Sequence, residues 1–141
     1  MKKLFFFILS ICLGIQINAQ AVIGTLINDV TEITTDKTIL INSIQEDAKK
    51  SMNVDVKITE IKIIQVSDGG YNLKASSENY KVSTLLILND GKFYYTYGKS
   101  KVKTSCETVS CASTAGCEVT MGGYCTKCKG DCKRTQSTGI Y

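Results

Sequence analysis

The sequence predicts an α+β protein: one helix packed on a roughly four-stranded antiparallel meander, followed by a disulfide-rich, loop-rich C-terminal module. Three observations carry that expectation. Apolar residues recur at close to helical spacing before Asn53 and at every second position after it. Clusters of Asp, Asn, Gly and Ser punctuate the alternating stretches. Six of the seven cysteines fall within 27 residues near the end of a 141-residue chain.

The first segment, residues 1–19, reads as a signal peptide. Lys2 and Lys3 supply a positive start, and residues 4–17 form an apolar run broken only by Ser10, Gly14 and Gln16. A bilayer span needs about 20 apolar residues, so the run is short for a membrane helix and no transmembrane segment is expected in the mature chain. Asn18-Ala19-Gln20 offers cleavage after Ala19, and Ala19-Gln20-Ala21 offers it after residue 21. Cys12 follows the bulky Ile11, and the run continues through Leu13 and Ile15. It therefore reads as part of the leader rather than as a lipid-bearing N-terminus. Its removal leaves an even six cysteines in an exported chain, periplasmic or extracellular, as a disulfide framework requires.

The body is expected over residues 20–103. Leu40, Ile41, Ile44, Ala48 and Met52 form an apolar stripe with a capping Asp36 before it, Lys49 and Lys50 in the last turn and Asn53 as a stop, so a helix is predicted over 36–52. Residues 21–33, rich in Thr and Ile, fit either a second helix or an initial strand. Val54, Val56 and Ile58 begin an alternation that resumes on the opposite parity at Ile61 and Ile63, which predicts a strand with a bulge near Glu60. Asp68-Gly69-Gly70 turns into a strand through Tyr71, Leu73 and Ala75. Ser77-Glu78-Asn79 then leads into residues 81–88, whose Leu85-Leu86-Ile87-Leu88 run predicts a central strand buried on both faces. Asn89-Asp90-Gly91 has the residues of a tight hairpin, and 92–97 is expected to pair back.

The order of one helix and then an antiparallel sheet resembles the cystatin-like architecture, as a layout only. Cystatin inhibitors carry a Gln-Val-Val-x-Gly loop, and this chain has only Ile64-Gln65-Val66-Ser67, so the resemblance brings no inhibitory residues with it.

Residues 104–141 form the predicted tail module. Val109, Val119, Met121 and Tyr124 are too few to build a core, and a segment this short needs covalent or metal support. Cys106, Cys111, Cys117, Cys125, Cys128 and Cys132 are expected to provide it as three disulfides, with fifteen pairings open. A thiolate zinc site on Cys125, Cys128 and Cys132 plus an earlier cysteine is the alternative, disfavoured by export and by the absence of histidine. A redox role for Cys125-Thr126-Lys127-Cys128 lacks the surrounding βαβ pattern.

Function is approached mainly by exclusion. Without histidine, Ser-His-Asp, Cys-His and histidine-bound metal chemistry are unavailable. Asp47, Asp55, Glu60 and Glu78 read as solvated surface, and Gly69-Gly70 and Gly122-Gly123 lack the context of a phosphate loop. No cofactor and no nucleic-acid partner is expected. Residues 20–98 carry 8 Lys against 10 Asp plus Glu, while residues 99–141 carry 7 basic against 3 acidic groups. The basic tail suits another protein or an anionic surface polymer. Candidate contacts are Lys127, Lys129, Lys133 and Arg134, together with Tyr94, which alternation places opposite Phe93, Tyr95 and Tyr97. The expected function is a non-enzymatic exported binding module. The alternatives are a secreted antimicrobial or toxin-like effector and a thiolate metal-binding protein.

Overall fold

The computed structural model describes residues 20–96 and 101–139. The expected leader, with Cys12, and Tyr97 lie outside the described residues. The chain begins with a β-hairpin, β1 (Gly24–Ile27) and β2 (Val30–Ile33), followed by α1 (Lys37–Met52). Next come β3 (Glu60–Gln65), β4 (Tyr71–Ser77), β5 (Tyr80–Asn89) and β6 (Lys92–Tyr94), then β7 (Val102–Thr108) and β8 (Lys133–Thr138).

The expected four-stranded meander is corrected by this arrangement. Six antiparallel strands, in the order β2-β1-β6-β5-β4-β3, form a nearly closed, barrel-like sheet, and the disulfide-bonded strands β7 and β8 extend it from β5. Two local effects explain the difference. Asn28 and Asp29 adopt φ of 50° and 63°, the two positive values that a tight hairpin requires, so residues 21–33 fold back on themselves rather than into a helix. The hairpin then pairs with β6 through Gly24 and Phe93, which carries the sheet round toward its other end. There the Thr31 hydroxyl donates to the Ile63 carbonyl of β3 at 3.2 Å, bringing the two edges together. Gly24 is required at this crowded seam. A Cβ on it would lie 2.2 Å from the Glu32 carbonyl oxygen and 2.7 Å from Ile63 Cδ1.

The second effect concerns Val54, Val56 and Ile58. Their alternation is that of a half-buried extended segment, but residues 53–58 run beside the helix, and the first bond to the sheet is made by Thr59 N–H to the Ser76 carbonyl of β4 at 2.9 Å. Ile58 N–H donates to Gln45 Oε1 of α1 at 3.0 Å, so side-chain capture replaces a strand partner and β3 starts only at Glu60.

Helix α1 forms where its punctuation places it. Asp36 Oδ1 accepts from the Thr38 and Ile39 N–H groups, and Asn53 closes the last turn with φ of 56°. Leu40, Ile44 and Ala48, four residues apart, are its buried stripe. They meet Ile63, Leu73, Ala75, Val82, Leu86 and the fully buried Phe93 on the inner face of the sheet. Burying a side chain of that size stabilises by roughly 1.5–3 kcal/mol, so this cluster dominates the folding of the body.

Strand β5 is the axis of the molecule, paired with β4 along one edge and with both β6 and β7 along the other. Its doubly buried stretch is Tyr80–Thr84, not the Leu85–Leu88 run that the sequence singles out. Residues 81 and 83 lie under the cysteine-rich tail, while 80, 82 and 84 face the helix. The composition change at residue 104 falls inside β7, so tail and body share one sheet.

Candidate functional site

The tail is tied by interlaced bridges, Cys106–Cys125, Cys111–Cys128 and Cys117–Cys132, each joining one cysteine to the third one after it. Their Cα separations of 5.6, 6.3 and 5.5 Å lie within the reach of a disulfide. The buried Cys106, Cys111, Cys117 and Val119, with Leu85, form a small second core outside the sheet. Polar contacts fasten it down. Asn72 Nδ2 donates to Ser83 Oγ and to the Val119 carbonyl, both at 2.8 Å, Lys74 pairs with Glu118 at 3.2 Å, and Asp68 Oδ2 accepts from Met121 N–H at 2.7 Å. Lys81 reaches the Thr114 carbonyl, and burial, reinforced by the charge of Lys74, holds its pKa below the ordinary lysine value.

These bridges decide what the opposite face presents. Because Cys106 must point into the tail, strand alternation turns Ser105 and Glu107 toward the helix. The register extends the pattern sideways. Val82, Glu107 and Lys133 lie side by side across β5, β7 and β8, and Thr84, Ser105 and Thr135 form the next row. A sheet face beneath a helix is ordinarily apolar, and the β3–β5 portion is. Beyond Val82 the floor becomes polar, and the helix side chains above it, Asp47, Lys50 and Ser51, do not fill the gap. The result is a cavity of about 500 Å³, with Ile44, Val82 and Tyr95 on its apolar side. Small-molecule sites commonly have this size and this mixture of walls, roughly 300–1,000 Å³.

The electrostatics of the cavity centre on Glu107, which is only 2% exposed. Tyr80 O–H donates to its Oε2 at 2.9 Å, while its Oε1 has no hydrogen-bond partner among the described residues. Ser51 Oγ, also lining the cavity, is likewise unpartnered, and the third such buried atom, Asn72 Oδ1, belongs to the tail side. Tyr80 is held in its neutral form. Burial first, then the charge of Glu107 and the bond to it, push the phenol well above the ordinary tyrosine value. The neighbouring cations are engaged elsewhere: Lys103 pairs with Asp47 at 2.6 Å and lies over the Tyr95 ring, and Lys133 Nζ donates to the Ser51 carbonyl. The hydroxyls of Thr84 and Ser105 share a hydrogen bond of 2.8 Å.

The residues anticipated as partner contacts are dispersed. Lys133 borders the cavity, whereas Tyr94 is half-buried at the end of β6 and Lys127 and Lys129 are exposed on the tail. Arg134 is exposed and lies 5.9 Å from the Tyr124 ring. Of the carboxylates read as solvated surface, Asp55, Glu60 and Glu78 are exposed, but Asp47 is half-buried under Lys103 at the cavity wall. Glu107 and Tyr80 were not legible as site residues. The available signal was the parity of Cys106, which puts its two neighbours on the face away from the disulfides. All six tail sulfurs are joined in pairs, and among the described residues no group of three or more His, Cys, Asp or Glu is placed to hold a metal ion.

No protein-family model, curated protein or solved structure matches the chain. The three disulfides point to an oxidising, extracytoplasmic environment. No helix among the described residues is long and apolar enough to cross a membrane.

Proposed function

We propose that this is an exported, non-enzymatic binding protein whose leader, residues 1–19, is removed, and whose ligand site is the cavity between α1 and the β5–β7–β8 floor. One observation carries the reading: two buried polar atoms without a partner among the described residues, Glu107 Oε1 and Ser51 Oγ, belong to residues that line the same cavity. Leaving a buried polar group unsatisfied costs about 1–3 kcal/mol, and more for a charged one, so such atoms gathered in one cavity favour a ligand that completes them. Binding is supported over catalysis by the absence of histidine from the chain and by the state of Tyr80, whose raised pKa makes its phenol a poor proton donor and keeps the nucleophilic phenolate rare.

The test is amide chemical-shift mapping on the oxidised mature protein with a set of small organic molecules. Shifts should cluster at Ser51, Ser105, Glu107 and Thr135, and Thr135→Trp, which fills the cavity from β8, should abolish them while leaving the fold intact. Ligands that move only the amides around Tyr124 and Lys127 would transfer the site to the tail.

A further inference from the structure

We infer that the cavity takes a small organic cation, an ammonium group on a compact apolar or aromatic body, with its N–H groups directed at Glu107 Oε1 and Ser51 Oγ. This rests on the cavity being the ligand site and names the ligand's class.

The argument begins with the charge of Glu107. A buried carboxylate without a cation is costly, and one hydrogen bond from a neutral phenol offsets only part of that cost. The register offers Lys133 as its cross-strand neighbour, yet Lys133 turns its ammonium to the Ser51 carbonyl at the end of the helix. Of the other two cations that line the cavity, Lys103 on β7 is bonded to Asp47 and Lys50 on α1 lies 4.0 Å from Glu46. Glu107 accordingly enters none of the ion pairs among the described residues. As a carboxylate the group would have only acceptor capacity, so its open oxygen is matched by a donor. A cationic donor also cancels the charge that the protein leaves uncompensated. An anion directed at the same oxygen would be repelled by the carboxylate, while the lysines that line the cavity, Lys50, Lys103 and Lys133, are taken up by Glu46, Asp47 and the Ser51 carbonyl. The apolar side of the cavity, with Ile44 and Val82, sets the rest of the ligand, because a hydrocarbon body gains from burial there.

Three probes of one shape separate charge from fit: 2-phenylethylammonium, 2-phenylethanol and 3-phenylpropionate, titrated calorimetrically into the oxidised mature protein at neutral pH. The ammonium should bind at least ~10-fold more tightly than the alcohol, and the carboxylate should not bind. Glu107→Gln keeps the size of the side chain and should remove at least ~10-fold of the ammonium affinity while leaving that of the alcohol nearly unchanged. Equal or tighter binding of the alcohol or carboxylate would overturn the cationic class while leaving the cavity as a site. No probe binding from any of the three, together with unshifted cavity amides in the wider set, would remove the cavity reading itself. The comparison of probes on the unaltered protein decides the matter even if the variant fails to fold.

Discussion

Residues that carry unusual environments in this protein sit beside residues that look ordinary in the sequence. Tyr80 follows a turn and reads as a strand aromatic, yet it is buried against Glu107, and both its burial and that charge oppose ionisation. The stability consequence has a definite sign. The folded-state pKa is raised above the unfolded value near 10, so the contribution is fully present below pH 10 and is lost as pH rises further toward the folded value. Urea denaturation between pH 8 and 11 should show stability falling above pH 10 in the natural chain, with a shallower fall in Tyr80→Phe. Parallel curves would show that Tyr80 ionises freely. Glu107 itself was hidden for a physical reason. In residues 102–108 the less polar parity is that of Val102 and Cys106, so hydropathy points away from Glu107, and the need of Cys106 to meet another cysteine turns Glu107 to the helix side.

Among the elements, α1 was readable from its cap, stripe and stop because each depends on residues within one or two turns. The Asn89-Asp90-Gly91 turn was readable for the same reason, and Asp90 and Gly91 take the positive φ it implies. Residues 21–33 stay open between helix and strand in the sequence because the strands of the first hairpin have four residues each, too few for a period, and Ile27 and Val30 at its tip are exposed rather than alternating with polar neighbours. Asn28-Asp29 was the sign to weigh. The β3–β4 turn shows how one residue can serve two elements. Asp68 accepts from Gly70 N–H within the turn and from Met121 N–H of the tail, and the backbone bonds, that from Met121 foremost, hold its pKa below the ordinary carboxylate value. Such a group contributes stability above its unfolded value of 3.8 and loses it as pH falls through the folded one. Asp68→Asn should therefore be less stable than the natural chain at pH 6, with the difference shrinking as pH falls below 4. A difference independent of pH would remove the carboxylate's charge from the account.

At the scale of the whole molecule, one sheet divides two interiors. An apolar core and a cavity lie on the helix side, and a disulfide core lies on the other. The sequence marks both ends of this plan but not their junction, since nothing in residues 81–84 announces pairing with 105–108. The β5–β6 register ends at Ile87–Tyr94, and Thr84 takes Ser105 as its partner on that edge, a pairing that no local period encodes. The bridges are correspondingly more than staples for a loose tail. Cys132 precedes β8 directly, and its bond to Cys117 fixes where that strand begins. Replacing both by Ser should cost about 3 kcal/mol from loop closure alone and raise amide exchange across Lys133–Thr138 before it does so in β3 or β4. Uniform exchange throughout would mean that β8 opens only with the whole chain.

The position of β8 adds a condition on when the protein becomes competent. Lys133, Thr135 and Ser137 form one wall of the cavity, and the strand that holds them directly follows a disulfide-bonded cysteine, Cys132. In a reducing compartment the chain can build its apolar core while that wall is still unfastened. On the proposed binding role, capture of a ligand waits until the thiols have been oxidised, so the chemistry that matures the protein would also license it to bind.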